Sequence, residues 1–276
     1  MTPAPTPASA RVLDPVEFYH TGPTPFFASQ QDQRFSYCLY VPTAHKEAPA
    51  SARLPLVVLM HGTQRTAERY RDAYREFAEE HGCVILAPLF PAGIGEPGDL
   101  HAFKRIDGLG IRFDQVFLDI VEEVGRRYKV DTERLYLHGF SGGGQFAHRF
   151  AYLYPERLAA LSIGAPGRIT RISQELPWWQ GTADIRERFG KDLDLAALRD
   201  TKIQMIVGGQ DTDTWEIAEP DIDAGGDTRI ERLTTLRDNF RQHNVPAQLD
   251  VVPGVAHKGF LMLPQVQGFF SAALPR

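Results

Sequence analysis

Apolar residues arrive along this chain in two periods. Short continuous or alternating runs read as strands, and longer stretches with apolar residues at three- and four-residue steps read as helices. From Arg34 to Val41 the pattern alternates, with Phe35, Tyr37, Leu39 and Val41 on one side. This predicts a half-buried antiparallel strand. Leu56 to Met60 is continuously apolar, as expected of a strand covered on both faces. A helix follows over about Ala67 to His81, striped by Tyr70, Tyr74, Phe77 and Ala78 and stopped at Gly82. Cys83 to Ala87 predicts the next buried strand. Residues 88 to 110 form a long loop containing glycine and proline, and loops of that length often carry function.

The second half continues in the same way. Phe113 to Tyr128 reads as a helix through Phe113, Val116, Phe117, Ile120, Val121 and Val124. Leu135 to Phe140 predicts a strand. It breaks at Gly139-Phe140-Ser141-Gly142-Gly143 and runs into a helix striped by Phe146, Ala147, Phe150, Ala151 and Tyr154. Pro155 ends that helix. Leu158 to Ile163 and Ile203 to Val207 read as buried strands, with residues 165 to 201 interrupting the alternation. Ile230 to Phe240 is helical, Gln248 to Val252 is the last strand, and a final helix covers about 260 to 272. Such alternation predicts the α/β class, a mostly parallel central sheet with helices on both faces. We expect one domain over residues 34 to 276, with 165 to 201 as a small cap-like insertion. Residues 1 to 33 are expected to be a disordered tail and an irregular lead-in.

Composition narrows the function classes. The 276 residues are 43% hydrophobic and 24% charged, as in an ordinary globular protein, and the net charge of -5 gives no basic footprint for nucleic acid. No run approaches the roughly 18 apolar residues of a membrane span. The first ten residues lack the basic and apolar regions of a signal peptide, so a cytoplasmic location is expected. Cys38 and Cys83 sit in apolar runs and read as small buried hydrophobes, with no disulfide framework. No P-loop, metal-ligand spacing or paired glycosidase carboxylates stand out, so neither metal nor cofactor is expected. The acidic run after Asp211, including Asp221, Asp223 and Asp227, lacks the glutamate that a calcium loop needs and reads as a solvated loop. Oligomeric state stays open.

The chemistry concentrates at strand, G-x-S-x-G and helix. A turn this sharp brings its flanks together, so a side chain at position 139 or 143 would collide. It lifts the Ser141 hydroxyl clear of the sheet and leaves the Gly142 N–H at a helix N-terminus, where it can stabilise an oxyanion. Here the sequence resembles the α/β-hydrolase family, whose nucleophile elbow has this form. A serine needs a base to take its proton and a third group to hold that base. The family order of nucleophile, acid and base implies Ser141, Asp211 and His257. Asp211 is preferred for its distance from the strand end, with Asp213 as the alternative. Of the nine histidines only His257 has both order and context, and His138 and His61 read as structural. The Thr63 backbone N–H, in the loop after the first central strand, is the expected second oxyanion donor. Gln64 beside it is either a substrate-facing residue or a plain turn residue. Trp178 and Trp179 either line an acyl pocket or pack the insertion onto the domain.

Phe113 to Gly167 resembles more closely the esterase group of polyhydroxybutyrate depolymerases and feruloyl esterases. The matching residues include Asp114 and Phe117, Tyr128-Lys129-Val130-Asp131, Arg134-Leu135-Tyr136, Gly139 to Gly143 and Tyr154-Pro155-Glu156, with His61-Gly62 upstream. The resemblance implies a serine hydrolase that cleaves small-molecule carboxylic esters through an acyl-enzyme. Segment 165 to 201 and the acidic loop fit no depolymerase pattern. A partial aromatic cover over Ser141 points to short or medium acyl groups. Polyester depolymerase, small peptidase and acyltransferase use the same triad, and a non-catalytic binding protein on this fold is the reading from another class.

Overall fold

The computed structural model describes residues 20–218 and 222–275. Residues 1–19 of the expected tail, and Asp221 of the acidic run, lie outside the described residues. Part of the expected lead-in belongs to the sheet. Strands β1 (Gly22–Pro23) and β2 (Phe27–Ala28) pair antiparallel with β3 (Ser36–Val41). Thr24 ties this edge down. Its N–H donates to the Leu39 carbonyl, and its Oγ1 accepts the Leu39 N–H, both at 2.9 Å. Two-residue strands carry no readable period, which is why the sequence pattern misses them.

The helix α1 (Thr43–Glu47) leads to β4 (Leu56–Met60), every residue of which is buried. The predicted helix over 67 to 81 is two helices, α2 (Ala67–Ala73) and α3 (Arg75–His81). The break is at Tyr74, which has φ -109° and ψ 9° and donates its N–H to the Arg71 carbonyl at 3.2 Å. That three-residue closure tightens the turn and ends the α-helical ladder. Strand β5 (Val84–Leu89) follows, and the long loop after it holds a 3₁₀ turn (Ala102–Arg105) and a small hairpin, β6 (Asp107–Gly108) and β7 (Ile111–Arg112).

Helix α4 (Phe113–Arg127), strand β8 (Leu135–Phe140), helix α5 (Gly142–Leu153) and strand β9 (Leu158–Gly164) come next. After α6 (Ile185–Phe189) and α7 (Leu195–Asp200), the chain returns to the sheet as β10 (Lys202–Gly208). It ends with α8 (Arg229–Gln242), β11 (Gln248–Val252) and α9 (Leu263–Ala273). The sheet runs β1-β3-β5-β4-β8-β9-β10-β11, with β2 also on β3. From β5 to β11 all neighbours are parallel, and β3 joins antiparallel to β5. Helices cover both faces. Buried runs such as Leu135 and Leu137, both fully inaccessible, need no polar alternation because neither face meets water. Cys38 and Cys83 are buried free thiols. Among the described residues no helix is long and apolar enough to cross a membrane.

Segment 165 to 201 lies against α5 and the 3₁₀ turn. The fully buried Arg149 of α5 donates Nε to Thr170 Oγ1 at 2.7 Å and Nη1 to the Lys104 carbonyl. Trp178 donates Nε1 to the Arg105 carbonyl at 2.8 Å and meets the Phe189 ring edge-on. The guanidinium groups of Arg105 and Arg149 both lie over the Trp179 ring, 5.4 and 5.5 Å from its centre.

Candidate active site

Ser141 lies between β8 and α5 with φ 57° and ψ -113°. A non-glycine residue holds this conformation only when its surroundings impose it. They do so by close backbone packing. A Cβ on Gly139 would lie 2.1 Å from the Gly143 carbonyl oxygen, and one on Gly143 would lie 2.2 Å from the Met60 carbonyl oxygen. The first turn of α5 therefore rests directly on the end of β4. The Ser141 N–H is held by the Gly164 carbonyl at 2.8 Å, and its own carbonyl accepts from the Gln145 N–H at 3.0 Å.

The ends of β10 and β11 bring an acid and a histidine together. Gly209 donates its N–H to the Val252 carbonyl and Gln210 to the Val255 carbonyl, both at 2.8 Å. These bonds lay the two loops side by side. His257 Nδ1 then meets Asp211 Oδ2 at 2.6 Å, with the Asp211 side chain fully buried and that of His257 22% exposed. Asp213 is exposed and offers only its carbonyl to the neighbouring Arg229. Of the two aspartates, Asp211 is the one at the histidine. Arg229, which the sequence pattern did not single out, is buried beneath it. It donates Nη1 to Asp211 Oδ1 at 3.2 Å and Nη2 to Glu216 Oε2 at 2.6 Å. A cation in the first turn of a helix, against the helix dipole, is the one sequence signal that could have marked it.

The loop after β4 is fixed by His61, which is fully buried. Its Nε2 accepts the Phe90 N–H at 2.9 Å, so the ring proton is on Nδ1, which donates to the Gly62 carbonyl at 2.8 Å. Burial pushes its pKa down to about 4, and the ring is neutral. Arg65 donates to the carbonyls of Thr63 and Phe90 from the same loop. The Thr63 N lies 3.2 Å from where a Cβ on Gly142 would be, so the two expected oxyanion donors are neighbours. Lys104 packs its Cε against the same point and donates Nζ to His101 Nδ1 at 2.9 Å. Burial, with Arg65 and Arg168 nearby, pushes the Lys104 pKa down to about 8.

Ser141 and His257 open into a cleft of about 350 Å³. Gly62, Thr63 and the exposed Gln64 line one side. Tyr70, Phe140 and Phe260 form an aromatic wall, and Arg69, Glu216 and Lys258 are its charged members. Phe140 belongs to the elbow motif itself, whereas the other five are picked out by no motif and reach the cleft only through folding. Neither Trp178 nor Trp179 lines it, and no residue of 165 to 201 does. The expected aromatic cover over Ser141 is corrected accordingly. The tryptophans find partners in Arg105, Arg149 and Phe189, none of which lines the cleft. A larger hollow of about 730 Å³ lies at the other end of the strands, by Lys202 and Gln248.

Residues 35–169 match the profile of the family described as Esterase PHB depolymerase. Feruloyl esterase B of Neurospora crassa is 28% identical over 124 residues, covering 42% of this chain and 39% of its own length. A probable acetylxylan esterase A of Aspergillus clavatus is 26% identical over 146 residues, covering 51% and 46%. The chain thus matches less than half the length of either relative. Among solved structures, LpqC, a poly(3-hydroxybutyrate) depolymerase from Bordetella parapertussis, superposes with a TM-score of 0.72 at 24% identity, covering 95% of this chain and 94% of its own. Poly(aspartic acid) hydrolase-1 from Sphingomonas sp. KT-1 has a TM-score of 0.65 at 20% identity, covering 85% and 92%. These likenesses show the fold. The chain has the α/β-hydrolase fold and resembles the esterase group of polyhydroxybutyrate depolymerases and feruloyl esterases.

Proposed function

We propose that this protein is a serine hydrolase that cleaves carboxylic esters through an acyl-enzyme. The observation that carries the reading is the 2.6 Å contact of His257 with buried Asp211, in a cleft shared with Ser141 at its strained turn. The match of residues 35–169 to an esterase family supports the ester bond as the target.

In this reading the Ser141 hydroxyl attacks the ester carbonyl while His257 Nε2 takes its proton. Asp211 holds the Nδ1–H tautomer and stabilises the imidazolium that forms. The N–H groups of Thr63 and Gly142 receive the oxyanion, whose charge grows where donors already stand. The imidazolium then protonates the departing alcohol, and a water activated by His257 releases the acid from Ser141. A cleft of about 350 Å³ is at the small end of ligand sites, which favours short or medium acyl groups. The aromatic wall is supplied by Tyr70, Phe140 and Phe260 rather than by tryptophan.

The test is covalent labelling by a fluorophosphonate probe together with a series of p-nitrophenyl esters. Ser141 should be labelled, Ser141→Ala should not be, and hydrolysis should fall off toward long chains. Undiminished hydrolysis by Ser141→Ala would overturn the reading. A second reading, cleavage of a polyester by the same residues, draws on the profile match and is tested by hydroxy acid release from an emulsified polyester.

A further inference from the structure

The charged residues of the cleft are unbalanced. Its lining holds two cations, Arg69 and Lys258, and one carboxylate, Glu216. Glu216 is already bound to buried Arg229 at 2.6 Å. Asp72, one turn from Arg69 on α2, is held by Arg71 and Arg75. Among the described residues neither Arg69 nor Lys258 forms an ion pair. The buried Lys104, beside Gly142, has His101 as its side-chain hydrogen-bond partner, and among the described residues it forms no ion pair, though Glu216 and Asp99 are near enough to act on it. This local excess of cations stands in a chain of net charge -5.

Arg69 is also held in place. Its guanidinium lies 4.7 Å over the Phe260 ring, and Phe260 in turn stacks on Tyr70 with ring centres 4.5 Å apart. A cation–π contact uses none of the guanidinium's N–H donors, which can still bind a carboxylate, bidentately at best. Tyr70 and Phe260 line the same cleft as Ser141.

We propose that the cleft selects esters with a carboxylate on one arm, laid along Tyr70 and Phe260 and bound by Arg69, with Lys258 on the facing lip. The proposal rests on the ester-hydrolase reading and names its substrate class. The ammonium of Lys104 adds to the attraction while it is protonated, and Lys258 stays in solvent and contributes chiefly by steering.

The experiment compares kcat/KM within two pairs of neutral and anionic esters, by acid release. Monoethyl glutarate against ethyl valerate puts the charge on the acyl arm, and 3-acetoxypropanoate against propyl acetate puts it on the alcohol arm. The native enzyme should prefer the charged member of one pair by about 10-fold or more, the scale of a charge-assisted hydrogen bond. That pair also identifies which arm lies along Tyr70 and Phe260. Arg69→Gln should erase the preference mainly through KM, Arg69→Lys should restore part of it, and added salt should weaken it. Equal or better hydrolysis of the neutral member in both pairs overturns the anion site alone. An Arg69→Gln loss that is the same for both members of the preferred pair does so as well. Hydrolysis of none of the four overturns the ester-hydrolase reading.

Discussion

Arg229 lies beneath Asp211 and occupies one of its two carboxylate oxygens. The Nη1–Oδ1 distance is 3.2 Å, both side chains are buried, and Oδ2 is left to His257 at 2.6 Å. A carboxylate buried between a guanidinium and an imidazole has a partner on each oxygen and cannot rotate freely. Asp211 therefore presents one fixed oxygen to the histidine, and Asp213 has no comparable setting.

Asp211→Asn should cost about 10⁴-fold in kcat, the loss seen when the triad aspartate of a serine protease is so replaced. Asp213→Asn should cost little, because only its carbonyl meets Arg229. Steady-state kinetics on a short p-nitrophenyl ester decides between them. The opposite ranking would move the acid to Asp213.

Arg229→Met removes the cation and leaves a buried carboxylate with only His257. Breaking a buried pair from one side costs about 3–5 kcal/mol, so urea unfolding should shift by that order. Glu216→Gln removes a partner whose side chain is 45% exposed, and its effect should be within about 1 kcal/mol. Equal effects would mean that Arg229 is not the anchor of Asp211.

Trp178→Ala should destabilise the fold without changing substrate affinity. Trp178 is 9% exposed and packs on Phe189, and truncating a buried aromatic costs about 3 kcal/mol or more. KM for short esters should stay within about two-fold, since uniform binding lost from a cleft would appear there. A large rise in KM with unchanged stability would return the residue to the substrate pocket.

Acid should weaken the fold through its buried histidines. Burial pushes His61 and His138 down to about 4 and His148 to about 3, below the ordinary 6.5. The folded protein keeps them neutral while the unfolded chain takes up protons. Their stabilising contribution is thus present above pH 6.5 and lost as pH falls toward 4 and then 3, by roughly 1.4 kcal/mol per pH unit for each ring. Urea midpoints measured from pH 7 to pH 4 should fall steadily. A flat profile would show that these rings do not titrate on unfolding.

The amino-acid sequence by itself determines the elements that depend on neighbours in the chain. Alternating and continuous apolar runs mark the strands, and three- and four-residue stripes mark the helices. The elbow is legible because its glycines answer to steric contacts within a few residues, as between Gly139 and the Gly143 carbonyl. The order Ser141, Asp211, His257 follows from the resemblance to the α/β-hydrolase family, laid on the loops that follow strands. Two-residue strands at the edge, and the break at Tyr74, leave no periodic trace.

Only the tertiary structure decides what meets across the sheet. The bonds from Gly209 and Gln210 to the loop after β11 put His257 on Asp211 rather than on Asp213. Arg229 comes from an element some 18 positions further along the chain, and Arg69, Tyr70, Glu216 and Phe260 reach the cleft from three separate segments. Trp178 and Trp179 sit in a segment that looks like a cover in sequence, yet the cations and ring around α5 hold them away from Ser141. Local periodicity reports which face of an element is buried. Which loops then share one edge of the sheet is a matter of long-range packing, and that is where the cleft takes its walls and its charge.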